Sequence, residues 1–273
     1  MEESGIETTS NVATTMTELP NELYQQTLVN IIKDKCDFAD NDYKINIEAG
    51  SAKGDNYIGV LYRATISNDK DDDFHVIVKL PPANFARREQ FFARPCFLRE
   101  SQFYDDLYPM FKKFQEEKGI VVKNDGFYEV PECYKSLTDD QNEGLFLEDV
   151  RVTKFHMFDR FQDATFDHVK TVMKTLGKYH AISFAMKDQQ PELIEPFKGL
   201  EDILMQREGD IPMTTWVDML KVQALDSLKA EPNADIVERA RKVIDQDFFQ
   251  LVKSCIDGKA SEPYSVVAHG DCW

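Results

Sequence analysis

Two charges stand where a globular chain seldom leaves them. Lys79 lies inside FHVIVKL, a run otherwise made of strand-forming apolar residues. A buried ammonium there is costly without a partner. Glu100 lies three residues after Phe97 and four before Tyr104, so it falls within the apolar stripe of the helical segment that follows. Each charge needs the other. A lysine on a third strand held by a glutamate on the next helix is a device for gripping the α and β phosphates of ATP. The plainer alternative is that Lys79 snorkels at a strand end while Glu100 sits at the rim of its stripe. Either charge alone fits that alternative; the two together, in this strand order, favour the ion pair.

Three further segments could serve the same chemistry. The turn GSAKGDN contains Gly50 and Gly54, whose backbone N–H groups can approach phosphates closely. It is neither a Walker A loop nor a full GxGxxG, and an ordinary hairpin turn explains it equally well. LFLEDV, ending in Glu148, Asp149 and Val150, stands where a two-lobed kinase has its hinge, though polar residues at a strand end need no such role. The closing HGD is the sharpest motif. Asp271 in such a turn can accept or orient the proton of an attacking hydroxyl, with His269 fixing the loop. A surface turn or an H-x-D metal pair are its alternatives, and no third metal ligand suggests itself. His180, on an apolar helix face, reads first as a hydrogen-bonded core residue. GxSxG is absent, and DKDDD reads as a solvated loop.

These residues need elements to hold them. Tyr24, Leu28, Ile31 and Ile32 fall at helical spacing after Pro20-Asn21. Strand patterns follow over Tyr43–Glu48, Tyr57–Ile66 and the FHVIVKL run. A helix is predicted from about Cys96 to Glu116, with Phe97, Tyr104, Leu107, Phe111 and Phe114 on one face. Two more strands are predicted near Phe127–Tyr134 and Gly144–Val150. The order is three strands, one helix, two strands: a five-stranded sheet with a helix inserted after strand three.

Beyond Val150 the pattern turns helical. Asp167 is the expected N-cap of a long helix presenting Val169, Val172, Met173, Leu176, His180 and Ser183. Helices are predicted within Thr214–Leu228 and Ala234–Ile256, and a short strand over Tyr264–Ala268. The organisation expected is a disordered tail over 1–20, a β-rich lobe over 21–150 and a helical lobe over 151–273. The fold class is α+β.

Bulk properties narrow the partners. The 273 residues are 42% hydrophobic and include 19 phenylalanines, enough for a sizeable core. The net charge of −17 repels phosphate backbones and anionic lipid, so neither nucleic acid nor membrane is the expected partner, and no protein partner is implied. The N-terminal 20 residues lack the basic start and apolar core of a secretory signal. Five cysteines with no CxxC spacing point to a reducing, cytoplasmic setting.

VIVKLPP, FLRESQFYDDLYPMF, LFLEDV, LGKYHAISFAM and VVAHGDCW occur in the order found in ecdysteroid-kinase-like proteins of arthropods, and the chain resembles that family from about Pro20 to Trp273. The resemblance implies a bilobal protein-kinase-like fold, with ATP and Mg²⁺ as cofactors. It also implies phosphoryl transfer to a hydroxyl of a small molecule such as an ecdysteroid or a dietary or xenobiotic alcohol. Carried over, Lys79 binds ATP phosphates and Glu100 holds Lys79. Gly50, Ser51, Gly54, Asp55, Asn56 and Tyr57 cover the phosphates, Glu148, Asp149 and Val150 form the hinge, and Asp271 is the catalytic base or hydroxyl-orienting residue. In the family the loop continues as HGDxxxxN, and a later aspartate joins that asparagine on Mg²⁺. Both positions lie past Trp273. The expectation is therefore a fragment of low activity with part of its helical core exposed. The rival reading is a kinase-like protein that binds nucleotide or a small ligand without chemistry. A hydrolase has only the terminal HxD in its favour.

Overall fold

The computed structural model describes residues 18–38, 43–51, 58–68, 70–159 and 161–270. Their contacts form two compact units, residues 1–109 with 129–163 and residues 110–128 with 164–273. The sequence places the boundary near 150; the first unit instead runs on to 163, and 110–128 belongs with the helical unit.

In the first unit, helix α1 (Glu22–Lys35) opens the fold, capped by Asn21, whose side chain accepts the Tyr24 N–H. Strands β1 (Lys44–Ala49), β2 (Val60–Ser67), β3 (Phe74–Leu80), β4 (Cys133–Leu137) and β5 (Gly144–Glu148) form one sheet in the order β1-β2-β3-β5-β4. Every pairing is antiparallel. The fold is thus α+β with a five-stranded antiparallel sheet, compatible with a kinase-like architecture.

Side chains alternate across a pleated strand. Val76, Val78 and Leu80 of β3 therefore share one face, where they pack with Ala64, Ile66 and Phe146 against Leu28, Ile31 and Ile32 of α1. Each such aliphatic side chain taken from water contributes roughly 1.5–3 kcal/mol. Ile77 and Lys79 are turned to the opposite face. Register puts Leu61 and Leu145 beside Lys79, and Arg63 and Leu147 beside Ile77. β3 has a neighbour on both sides, so Lys79 occupies a fixed position inside the sheet.

The inserted helix is more elaborate than the sequence pattern suggests. Short α2 (Phe85–Gln90) is closed by Phe91, and the next residue, Phe92, whose φ of 52° is left-handed, turns the chain into α3 (Ala93–Gln102). A π-helical stretch, Phe103–Leu107, leads into α4 (Tyr108–Glu117), with the Tyr108 N–H reaching back to the Phe103 carbonyl. Such single-turn insertions shift the phase of a helix face. A turn, α5 (Val122–Asp125), precedes β4.

The second unit is helical. Helix α6 (Phe166–Gln189) is capped by Thr165, not Asp167: Thr165 accepts the His168 N–H while the His168 ring reaches back, a reciprocal capping box. Its buried residues are Tyr179, Ile182, Ser183 and Met186. The expected stripe is correct only near its C-terminal end, since Val169, Val172 and Met173 are exposed. Tyr179 lies between Phe111 and Phe127, with ring centroids at 5.5 and 5.2 Å. Burial raises its hydroxyl pKa to about 12. After α7 (Pro191–Ile194), helices α8 (Ile211–Ser227), α9 (Ala234–Ile244) and α10 (Phe248–Ile256) complete the unit. Met213 and Val217 of α8 pack with Phe249 and Met205. Trp216, Met219, Leu220 and Val222 on α8 are exposed, as are Ile236 and Val243 on α9.

The strand expected over Tyr264–Ala268 does not form. Side chains of α6 hold that backbone instead. Lys187 Nζ donates to the carbonyls of Pro263 (2.6 Å) and Ser265 (2.7 Å) and pairs with Glu262 (2.8 Å), while Ser183 Oγ accepts the Val267 N–H at 2.9 Å. With these groups satisfied, the segment needs no ladder partner.

Candidate functional site

Lys79 and Glu100 meet. The ammonium lies 2.6 Å from Glu100 Oε2, with side chains 28% and 31% exposed, so the pair is sheltered yet reachable by a ligand. Phe97, one turn before Glu100 on α3, places its ring 5.8 Å from Lys79 Nζ, close enough for a cation–π contribution. One turn after Glu100, burial pushes up the Tyr104 hydroxyl pKa, helped by the Glu100 charge. Phe97, Glu100 and Tyr104 thus line a helix edge facing the Lys79 side of the sheet.

Gly59, which the sequence pattern did not single out, belongs to the same place. A Cβ there would stand 3.2 Å from the Leu80 carbonyl, 3.6 Å from the Phe97 ring and 3.7 Å from Lys79 Cγ. A side chain there would press on the Leu80 carbonyl, while its contacts with the Phe97 ring and the lysine stem would be ordinary ones.

The glycine turn is anchored at its start. Gly50 donates its N–H to the Leu61 carbonyl at 2.7 Å, extending the β1–β2 ladder, and a Cβ would stand 2.9 Å from Leu61. Ser51 follows it, half-buried. Gly54, Asp55, Asn56 and Tyr57 lie outside the described residues.

At the end of β5, Glu148 pairs back to Glu132: its N–H donates to the Glu132 carbonyl, and its carboxylate accepts the Glu132 N–H. The Val150 carbonyl is engaged by the Thr153 hydroxyl at 2.9 Å and the Phe155 N–H at 3.2 Å. Asp149 is only 2% exposed. It accepts from Arg63 Nε at 2.6 Å and from Arg151 Nε at 2.8 Å, and its other oxygen is reached by a second Arg151 nitrogen at 3.2 Å. Burial by itself would raise the Asp149 pKa; the two guanidiniums outweigh it and hold the carboxyl below its ordinary range. Arg151 also donates to the Gly50 carbonyl at 3.3 Å, and Arg63 reaches Glu48 at 3.5 Å. Asp149, Arg151, Arg63 and Gly50 therefore form one connected cluster. Arg63 stands on the same sheet face as Lys79, beside Ile77.

In the second unit His269 is exposed, and Gly270 has φ +83°, a left-handed turn that favours glycine. Asp271 lies outside the described residues. His180 packs beside the Tyr179 ring at 5.7 Å. Among the described residues no three His, Cys, Asp or Glu side chains converge as a metal site, and no helix is long and apolar enough to cross a membrane.

Sequence reasoning missed Arg63, Arg151, Gly59 and the Lys187–Ser183 clamp. For Arg63 the signal was present: an arginine amid VLYRATIS is the same anomaly as Lys79 amid FHVIVKL.

Residues 53–273 match the family model described as the ecdysteroid kinase-like family. No curated protein and no solved structure matches the chain.

Proposed function

The chain belongs to the ecdysteroid kinase-like family, and from that premise we propose that it serves ATP-dependent phosphoryl transfer to the hydroxyl of a small molecule, an ecdysteroid or a dietary or xenobiotic alcohol. The observation that carries the reading is the Lys79–Glu100 pair at 2.6 Å between β3 and α3, with both side chains partly exposed. A fixed ammonium there can neutralise phosphate oxygens, and Glu100 keeps it from swinging away when no nucleotide is bound.

In the proposed reaction the acceptor oxygen attacks the γ-phosphorus in line. The new O–P bond forms as the bond to the β-phosphate oxygen breaks, ADP departs, and the hydroxyl proton passes to Asp271. A divalent cation, proposed to be Mg²⁺, neutralises charge on the phosphates when bound. The described residues offer no ligand set for it, and none is assigned that role.

Calorimetric titration with ATP tests the reading. The chain is expected to bind ATP, and Lys79→Met to weaken it about tenfold or more. Equal binding by both proteins, or none by either, overturns the assignment. ADP release across a panel of hydroxylated steroids and plant alcohols then separates catalysis from binding. ATP held but never consumed leaves the kinase-like binding protein as the function.

A further inference from the structure

We propose that Arg151 is a positioning residue for the nucleotide phosphates, a strut that sets Gly50, where the glycine turn begins, relative to the end of β5 through Asp149. The inference rests on the nucleotide-binding reading above.

A carboxylate 2% exposed is expensive unless its charge and lone pairs are matched. One arginine would suffice for charge, yet Asp149 takes two, from different directions. Arg63 comes from β2 and is itself tied to Glu48 on β1, so it locks Asp149 to the strands. Arg151 comes from the short turn after β5 (Val150–Thr153) and clasps Asp149 through Nε, a second guanidinium nitrogen and its own backbone N–H. That grip leaves its remaining guanidinium nitrogen aimed at the Gly50 carbonyl at 3.3 Å.

The target matters. Gly50 ends the β1–β2 ladder, and its N–H is already given to Leu61. Arg151 holds the carbonyl of the same residue, so the root of the turn is fixed on both sides of its Cα. A guanidinium is a planar fork that can keep two partners in one geometry, which an ammonium cannot. A turn whose N–H groups meet phosphates needs its root fixed, because freedom there is paid for in lost affinity for phosphate alone. Adenosine, which carries no phosphate, should be indifferent to it.

The test uses the full chain with Arg151→Ala and Arg151→Lys. Arg63 continues to neutralise Asp149 in both, and Arg151 is 42% exposed, so folding is retained. Amide hydrogen exchange without nucleotide is expected to accelerate at Gly50 by about tenfold in Arg151→Ala while β3 amides stay protected. ATP affinity is expected to fall about tenfold with adenosine affinity held within about twofold, and Arg151→Lys to recover little of the loss. Unchanged exchange at Gly50, or an equal loss of ATP and adenosine binding, overturns the proposal. The exchange measurement contains no nucleotide. A wild-type chain that binds neither ligand therefore sinks the nucleotide reading, and the strut is then judged on exchange alone.

Discussion

Strand β5 begins and ends beside a buried carboxylate. Glu143 precedes it, 0% exposed; Asp149 follows it, 2% exposed. Each is gripped by two arginines, and in each the arginines overcome the upward push of burial and hold the carboxyl below its ordinary range. The chemistry is the same, but the partners come from different places. Glu143 takes Arg88 of α2 at 2.6 Å and Arg94 of α3 at 2.5 Å, so it fastens to the sheet the helical run that carries Glu100. Its own carbonyl accepts the Tyr24 hydroxyl of α1 at 3.1 Å. Asp149 takes arginines from β2 and from its own turn, and the second of these leads to Gly50. A buried, perturbed carboxylate is thus no guide to a site on its own. Where its partners lead decides whether it holds the fold or shapes a ligand surface.

The largest effect is expected at Glu143. Replacing it with glutamine leaves Arg88, only 13% exposed, without its countercharge. Removing one member of a buried ionic cluster costs about 3 kcal/mol, read as a lower urea midpoint at unchanged slope. The folded fraction should keep the wild-type preference for ATP over adenosine. Loss of that preference in Glu143→Gln would break the comparison, since both carboxylates would then govern the ligand.

Asp149→Asn is expected to cost less, about 2 kcal/mol, because Arg63 and Arg151 stay partly hydrated when released. It should weaken ATP more than adenosine, as is expected of Arg151→Ala. A stability loss larger than that of Glu143→Gln, with nucleotide preference intact, would reverse the two roles.

Acidification sharpens the same contrast more gently. Both folded-state pKa values lie below the unfolded ones, so each carboxylate stabilises the fold above the ordinary carboxylate range of about 4. That contribution is lost as pH falls through the folded values. Unfolding free energy measured from pH 6 downward should fall below about pH 4, and fall less steeply in Glu143→Gln and Asp149→Asn, each lacking one titrating group. A wild-type acid slope unchanged in both variants would show that neither pair is linked to folding.

Much of the first unit was legible in the sequence. A charge in an apolar run is an anomaly in one dimension, so Lys79 could be found, and helical spacing pointed from it to Glu100. The succession of five strands along the chain followed from runs of apolar residues between turn signals, although β4 lies at Cys133–Leu137, later than the predicted Phe127–Tyr134. What stayed illegible needed a third dimension. Glu143 sits in TDDQNEG, which reads as a polar loop, and its partners lie 55 and 49 residues earlier. Nothing local announces that Arg63 closes on Asp149. Tyr264–Ala268 had the pattern of a strand, but a strand requires a neighbour, and period two in one segment carries no news of who that neighbour is. The N-cap of α6 was misplaced by two residues because the box uses histidine at the position where glutamate or glutamine is the usual signal.

The smallest effect tests how far the fold-holding node around Glu143 extends. Asn21 caps α1 through the Tyr24 N–H, and its amide also donates to Asn142 Oδ1 at 3.1 Å, next in sequence to Glu143. Asn21→Ala loses the cap and this bridge, for about 1 kcal/mol by urea unfolding. The single value says little; the double mutants decide. Combined with Glu143→Gln the loss should deviate from additivity by about 0.5 kcal/mol or more, since Tyr24, Asn142 and Glu143 share one contact set. Combined with Asp149→Asn, at the other end of β5, the losses should simply add. Additivity in both would shrink the Glu143 node to its two arginines, and coupling in both would make β5 one rigid beam with no division of labour between its ends.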